Sequence, residues 1–166
     1  MRAVFLTAFF GLFLLVGLVM LGAAGRSWWK SNQVEAWPVV DGEVIERDFS
    51  VDSDSEGTSY RAVVRYRYTV AGRSYESDRI AFGYVGSSGR DSHQAIHDAL
   101  SRSDRVGVRY NPADPAEAAL AYGLNKSTVM LMVFGVVWTF FTLGLASLFW
   151  LSESRDAALV ERLILR

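Results

Sequence analysis

The chain of 166 residues contains no cysteine and only two histidines. Without cysteine it can form no disulfide, thiolate metal site or thiol nucleophile, although this absence does not locate its compartment. Lys and Arg number 17 against 18 Asp and Glu, so the net charge is −1 and no basic surplus exists. Proteins that bind nucleic acids usually carry such a surplus. We therefore expect no nucleic-acid partner, and we expect no cofactor.

Ionisable side chains are missing from two long stretches, Ala3–Gly25 and Ser127–Ser152. As a helix, the first stretch would be about 34 Å long, which exceeds the roughly 30 Å thickness of a bilayer hydrocarbon core. It is also longer than the apolar region of a cleaved signal peptide, which has about 7–15 residues. Both stretches therefore predict transmembrane helices, the first as an uncleaved anchor, and the lipid bilayer as a partner.

Aromatic and basic residues flank the two stretches, as is typical of membrane interfaces. The expected interface anchors are Trp28, Trp29, Lys30, Lys126 and Trp150. The predicted domains are transmembrane helix 1 with its juxtamembrane segment (1–30, span about 3–25), a β-rich extramembrane domain (36–122), transmembrane helix 2 (127–152) and an amphipathic cytoplasmic tail (153–166). Alternatively, the tail extends helix 2 or packs on a partner.

Basic residues near the span ends bear on orientation. Their count leans slightly towards the outer flanks, which carry Arg2, Arg155, Arg162 and Arg166, against Arg26, Lys30 and Lys126 on the inner flanks. We therefore expect an integral membrane protein with both termini in the cytoplasm and the β-rich domain outside it.

The middle of the chain has the pattern of antiparallel strands. Tyr60–Val70 alternates apolar and polar residues, which predicts a strand with one buried face, and Ala71-Gly72 predicts a tight hairpin turn. The other expected elements are a strand at Val39–Phe49 bent at Gly42, an acidic connection at Ser50–Gly57, a mobile loop at Gly83–Gly89, a short helix from Asp91 or Ser92 to Ser101, and a strand at Arg105–Tyr110. The predicted fold class is an α+β membrane protein, in which two transmembrane helices flank a small antiparallel β-sandwich or barrel-like domain with one short helix.

Three motifs in this region resemble one protein family. They are Trp37-Pro38 followed by Gly42-Glu43-Val44, the hairpin from Tyr66 to Tyr75, and the segment from Val106 to Pro115 that continues to Leu120. Together they are similar to the domain-of-unknown-function 3592 family of mostly bacterial membrane proteins. The resemblance implies a small β-rich domain attached to transmembrane helices, here in a bacterial inner (plasma) membrane, and it implies no established activity or functional residue.

The two histidines, His93 and His97, are the candidate metal ligands. They lie four residues apart on the predicted short helix, so both rings could face one Zn²⁺ or Cu²⁺ ion. A metal site would need a further ligand from elsewhere. The simpler interpretation is two solvated histidines, opposite an apolar side formed by Ile96 and Leu100.

Arginines line one face of the predicted hairpin, and they form a possible interaction face: Arg61, Arg65, Arg67 and Arg73. Such a stripe could contact anionic headgroups or an acidic partner. The simpler interpretation is an ordinary sheet surface on which the arginines pair with glutamates of neighbouring strands, such as Glu46 and Glu76.

These features favour a non-enzymatic binding or accessory module that presents the β-rich domain to another membrane or envelope protein. An immunity-like protein acting at the membrane is a variant of this hypothesis. A membrane-surface, metal-dependent enzyme that uses His93 and His97 is an alternative, as is an oligomeric pore. Small residues at Thr7 and Gly11, and at Thr142 and Ala146, permit close helix contact, so a homo-oligomer is possible.

Overall fold

The structure is a computed structural model that describes residues 2–55 and 57–161, with side chains described for residues 4–55 and 57–152. Three helices and five strands occur within these residues: α1 (Arg2–Glu35), β1 (Val39–Asp54), β2 (Gly57–Val70), β3 (Arg73–Ser77), α2 (Arg90–Leu100), β4 (Arg105–Asn111), β5 (Asp114–Ala119) and α3 (Lys126–Glu161). The chain forms two compact units. The helical unit contains α1 up to Ala23 and α3 from Leu131, and the sheet domain runs from Ala24 to Met130.

Both long helices leave their apolar side chains uncovered. Over Val4–Glu35 and Lys126–Ser152 they are long and apolar enough to cross a membrane. Only 6% and 11% of the residues in their most apolar 18-residue segments are buried. A core helix of a soluble protein would be covered on most sides. The two helices are therefore compatible with a membrane protein, as the sequence predicts.

Within the helical unit, α1 and α3 approach each other at two glycines. A methyl group on Gly17 would lie 2.5 Å from the Thr139 Oγ1, and one on Gly135 would lie 3.0 Å from Leu21. A methyl group on Gly11 would meet no atom within 4 Å. Close contact between α1 and α3 therefore occurs at Gly17 and Gly135, whereas contact between copies of the chain at Thr7 and Gly11 stays a prediction.

The sheet domain contains one antiparallel sheet with the strand order β3-β2-β1-β4-β5. The sandwich predicted as one possibility is therefore wrong for the described residues, because a sandwich needs two sheets. The Tyr68 hydroxyl on β2 donates a hydrogen bond of 2.6 Å to the Pro115 carbonyl oxygen on β5. In a flat sheet these strands would lie about 14 Å apart, so the sheet must curl. This curling agrees with the barrel-like alternative.

Strand β2 supplies four of the eight buried residues in the main core cluster of the sheet domain, as its alternation predicts. Ala62, Val64, Tyr66 and Tyr68 are at most 2% exposed. The hairpin turn that follows β2 is also confirmed, since Ala71 and its neighbour Gly72 both have positive φ angles, 49° and 78°. Two consecutive residues with positive φ angles are typical of the tight two-residue turn whose backbone twist suits the twist of the two strands it joins.

Strand β1 is longer than the sequence indicates and bends elsewhere. It continues through the acidic segment after Phe49 as far as Asp54, where a loop was expected. The register shift lies between Val44 and Glu46, and not at Gly42. Gly42 is instead required for close packing, because a methyl group there would lie 2.5 Å from the Val108 Cγ2.

Helix α2 covers one face of the sheet. It begins at Arg90 with no side-chain cap, so the predicted capping by Asp91 or Ser92 is wrong. Its buried and half-buried positions are His93, Gln94, Ile96, His97 and Leu100, which lie at helical spacing. Ile96 and Leu100 pack against the core as expected. The histidines share that packed side, so their predicted position on the opposite, solvated side is wrong.

The second long helix continues past the predicted span. Helix α3 extends without interruption to Glu161, which agrees with the alternative that the tail extends helix 2. The last five residues of the predicted tail lie outside the described residues. The amphipathic, cytoplasmic character of the tail stays a prediction.

Candidate functional site

The candidate site is the hairpin arm, which we define as residues 46–65 of β1 and β2. The pairing of β4 with β1 ends at Glu43, and the pairing of β3 with β2 ends at Tyr66. Beyond those points β1 and β2 continue as a two-stranded ribbon, from Glu46 opposite Arg65 to the turn at Asp54 and Gly57. The turn is stabilised by the Gly57 N–H, which donates to the Asp54 Oδ1 at 3.0 Å.

The outer edge of β1 in the arm presents its backbone groups to solvent. Tyr60 on β2 exchanges both backbone hydrogen bonds with Ser87, on the side of β2 away from β1. Val51 lies opposite Tyr60. Two residues directly opposite each other in an antiparallel ladder either bond to each other or both point their N–H and C=O groups away from the partner strand. Tyr60 points its backbone groups away from β1, so Val51 points its own away from β2. The N–H and C=O of Val51 therefore face outward, and among the described residues no neighbouring strand pairs with them.

Acidic side chains line this edge. Asp48, Asp52 and Asp54 are exposed. The Asp48 Oδ1 accepts a hydrogen bond of 2.8 Å from the Phe49 N–H, which thus has a local partner. Natural proteins use charges and local bonds of this kind to stop edge strands from pairing indiscriminately. Residues 46–54 of β1 therefore carry more negative than positive charge, with Arg47 as the one basic side chain among them.

The arginine face predicted from the sequence is exposed, but two of its arginines are paired. Arg65 contacts Glu46 at 2.8 Å and Arg67 contacts Glu76 at 2.7 Å. Among the described residues no carboxylate lies within 4.0 Å of Arg61 or Arg73. This partly neutralised surface agrees with the simpler interpretation of an ordinary sheet face at Arg65 and Arg67.

A buried hydrogen-bond network under the arm contains His93. The Tyr84 hydroxyl lies 2.7 Å from the His93 Nδ1 and accepts a bond of 3.1 Å from the Ala62 N–H. The His93 Nε2 lies 2.8 Å from the Ser87 Oγ. Both ring nitrogens of His93 therefore have a hydroxyl partner in either neutral tautomer.

This environment keeps His93 neutral. Burial, and secondarily the positive charge of Lys126, lower the pKa of His93 below its ordinary value of 6.5. Burial also raises the pKa of Tyr84, which keeps its hydroxyl as a hydrogen-bond donor. The network therefore has the properties of a structural tie between β2, the 81–89 loop and α2.

The other histidine, His97, packs its ring edge-on against Phe49, with ring centres 5.8 Å apart. Its Nδ1 lies 3.4 Å from the neighbouring Asp98 carboxylate. Both ring nitrogens of His93 already have protein partners. Within residues 2–55 and 57–161 no group of three potential metal ligands is present. The geometry thus gives His93 and His97 packing roles.

The predicted interface anchors fall into two groups. The aromatic ones, Trp28, Trp29 and Trp150, are 44%, 59% and 71% exposed, as a lipid-facing residue requires. Lys30 differs, because its ammonium group binds the Glu117 carboxylate inside the sheet domain. Burial alone would raise the pKa of Glu117, but the bonds from Lys30 and Asn111 outweigh it and lower that pKa. Lys30 therefore ties α1 to β5.

An open cleft of about 550 Å³ lies outside the arm, where β1 pairs with both β2 and β4. Its charged lining residues are Asp41, Glu43, Arg67, Asp104 and Arg105. The lining therefore contains both carboxylates and guanidinium groups. Such a mixed lining suits ion pairs with a polar partner surface.

Sequence reasoning missed the outer edge of β1, although a signal for it was present. Serines and aspartates at residues 50–54 favour loops, and this composition hid the strand. Val51 and Ser53 nevertheless alternate with Asp52 and Asp54, which is a period of two. The long alternating strand opposite them, β2, would have shown that this segment has a pairing partner.

One comparison with known proteins identifies a family. A family model described as "Domain of unknown function (DUF3592)" matches residues 40–125. The match covers just over half of the chain, includes the arm, and confirms the resemblance derived from the motifs. No curated protein matches the chain.

Proposed function

Because the chain belongs to the DUF3592 family, a domain family of unknown function, we propose its role from geometry: a membrane-anchored, non-enzymatic docking module. In this proposal α1 and α3 anchor the chain in the bilayer. The outer edge of β1 then binds an extended segment of another membrane or envelope protein. The observation that carries the proposal is the outward-facing, unpaired backbone at Val51.

An exposed strand edge can bind a partner by adding a strand to the sheet. Main-chain hydrogen bonds then provide affinity, and alternating side chains provide specificity. The acidic residues Asp48 and Asp52 on this edge complement a partner segment that bears lysine or arginine. Val51, which is 53% exposed, adds an apolar contact on the opposite face of the strand. The partner is therefore an extended, basic segment.

The membrane part of the proposal is supported by the uncovered apolar surface of both long helices and by the exposed tryptophans at their flanks. We place the chain in a bacterial plasma membrane, with both termini cytoplasmic and the sheet domain extracytoplasmic, following the excess of arginine near the outer flanks. Accessibility labelling tests this orientation. Labelling of Lys126 and residue 166 from the same side of intact cells would contradict it.

The docking test compares two substitutions at one position, Val51→Pro and Val51→Ala. Proline removes the outward N–H and leaves the β1–β2 ladder intact, because that N–H bonds nothing within the hairpin. Alanine keeps the N–H and removes only the apolar contact. The tagged full chain is purified from its native membranes in mild detergent, and co-purifying proteins are quantified for wild type and both variants.

We expect a discrete protein that co-purifies with wild type, is retained by Val51→Ala and is lost with Val51→Pro. Circular dichroism of each preparation confirms that the strands persist. Equal recovery with both variants, or wild type recovered repeatedly as a lone monomer, would overturn the proposal. If the co-purifying protein were a toxin, the chain would be an immunity-like protein that binds the toxin through the outer edge of β1.

The enzyme alternative receives less support, because both nitrogens of the His93 ring are engaged by hydroxyl groups. Substituting His93 and His97 together tests that alternative through metal content. The pore alternative requires several copies, since two helices cannot enclose a pathway. Co-purification of only the chain itself, in a defined oligomer that survives Val51→Pro, would favour it.

A further inference from the structure

The loop between β3 and α2 is attached to the start of α3. The Val85 N–H donates to the Ser127 Oγ at 3.3 Å, and that hydroxyl in turn donates to the Val85 carbonyl oxygen at 3.2 Å. The Asn125 side-chain amide donates a bond of 2.7 Å to the Phe82 carbonyl oxygen. These bonds place residues 82–85 beside the first turn of α3, so the segment expected to be a mobile loop has defined partners.

The same loop contacts α1. Gly83 has a φ of +74°, and a methyl group there would lie 2.3 Å from the Thr128 Oγ1 and 2.9 Å from the Ser27 Cβ. Gly83 is therefore wedged between the two helices. Ser27 directly precedes Trp28 and Trp29, so the loop lies at the level of these exposed indole rings.

The surface at this level exposes several large apolar side chains, together with the charged side chains of Arg26 and Lys126. Its apolar members within the sheet domain are Trp28, Trp29, Val85, Leu124, Val129 and Met130, which are 42–62% exposed. The backbone groups of Val85 and Phe82 bond to Ser127 and Asn125. The Val85 side chain is left exposed beside these bonds.

We propose that Val85 and Leu124 are immersed in the boundary between headgroups and acyl chains of the bilayer. We call this pair the immersed tips. The inference rests on the proposed membrane anchoring, and it adds a lipid-binding face of the sheet domain outside the two helices. Its occupant is lipid because the tips are continuous with the exposed apolar side chains of Val129 and Met130 on α3.

The length of α3 agrees with this depth. Its apolar segment, Lys126–Ser152, has 27 residues, which corresponds to a length of about 40 Å. A hydrocarbon core is about 30 Å thick. The excess allows the first turn of α3, and with it Val85, to lie in the headgroup layer, where indole rings such as Trp28 are also favoured.

The absence of cysteine in the chain permits a direct test. Three single-cysteine variants of the full chain are labelled with an environment-sensitive fluorophore and placed in phosphatidylcholine nanodiscs, with or without spin-labelled lipid. Val85→Cys probes the immersed tips. Val51→Cys is the matched control, since both valines are similarly exposed, at 57% and 53%. Met130→Cys probes the anchoring helix.

We expect spin-labelled lipid to quench the probes at positions 85 and 130 several-fold more than the probe at position 51. Quenching at position 130 with none at position 85 would overturn the inference and leave the anchoring intact. No quenching at position 130 would overturn the anchoring itself, and with it this inference. A Leu124→Cys variant repeats the test at the second tip, where the same outcome is expected.

Discussion

The two halves of β1 differ although they belong to one strand. The first half, Val39–Val44, pairs with β4 over Val39–Glu43 and with β2 from Gly42 onward, and its Gly42 and Val44 are buried. The second half, Glu46–Asp54, pairs with β2 alone and is largely exposed. The register shift lies between the halves. We call them the packed half and the edge half.

This difference separates stability from recognition within one element. The packed half pairs with a strand on each side at Gly42 and Glu43 and contributes Val44 to the core, so substitutions there should destabilise the domain. Along the outer side of the edge half, no strand of the described residues is paired. Substitutions there should leave the free energy of unfolding nearly unchanged and alter binding instead.

The largest effect is expected opposite the packed half, at Tyr66, which pairs with Val44 and is 0% exposed. Its hydroxyl donates to the Arg79 carbonyl oxygen at 2.9 Å, and burial raises its pKa to about 12. Tyr66→Ala should lower the free energy of unfolding of the sheet domain by about 3–5 kcal/mol. Urea unfolding of the full chain in detergent, followed by tryptophan fluorescence, measures this change.

The matched substitution in the edge half is Val51→Ala, which should change the free energy of unfolding by less than about 0.5 kcal/mol. A loss at Val51 comparable with that at Tyr66 would mean that the edge half is part of the core. The separation of roles along β1 would then be wrong.

A smaller effect is expected at Gly42 in the packed half. Gly42→Ala places a methyl group 2.5 Å from the Val108 Cγ2 and 3.2 Å from the Arg67 carbonyl oxygen. Overpacking of this kind costs about 1–3 kcal/mol. The control is Gly107→Ala on β4, whose nearest neighbour would be the exposed Val39 side chain at 3.3 Å. The same urea titration should show a loss only for Gly42→Ala.

The next effect is a dependence of the stability of the sheet domain on pH, which arises from His93 in the network under the arm. Because burial lowers the pKa of His93 in the folded chain, unfolding takes up a proton at mildly acidic pH. The stabilisation is complete above the ordinary pKa of 6.5 and is lost as the pH falls towards the lowered value. Thermal unfolding between pH 7.5 and 5 should therefore show declining stability in wild type.

His93→Gln should remove that decline, whereas the control His97→Gln should retain it. An unchanged decline in His93→Gln would show that another group is responsible. The network would then not be the pH-sensitive tie between β2 and α2.

The smallest effect is expected at the ion pair in the edge half. Glu46 and Arg65 lie 2.8 Å apart with side chains 57% and 51% exposed. Exposed pairs of this kind contribute little, so Glu46→Gln should change the free energy of unfolding by less than about 0.5 kcal/mol. A loss above about 1 kcal/mol in the same urea titration would show that the edge half stabilises the fold.

The sequence was sufficient for the parts of the fold that follow from strong periodicity. The helical structure of the two apolar stretches, the buried face of β2 and the turn at Ala71-Gly72 were each predicted correctly. These features depend on solvent preference and local backbone geometry, which neighbouring residues largely determine.

Other features depend on contacts between distant segments and were missed. Residues 50–54 form a strand only because β2 offers them a pairing partner. His93 is buried because Tyr84 and Ser87 approach it from a loop, a contact that helical spacing cannot predict. The single curled sheet likewise depends on the contact between Tyr68 and Pro115, two residues 47 positions apart.

The central claim is that the edge half of β1 binds a partner protein while the packed half does not. Its most direct test is photo-crosslinking in native membranes, with a photoreactive amino acid at Ser53 in the edge half or at exposed Thr69 beside the packed half. The account predicts a discrete protein adduct from position 53 that disappears with Val51→Pro, and none from position 69. The same adducts from both positions, or none from position 53, would contradict it.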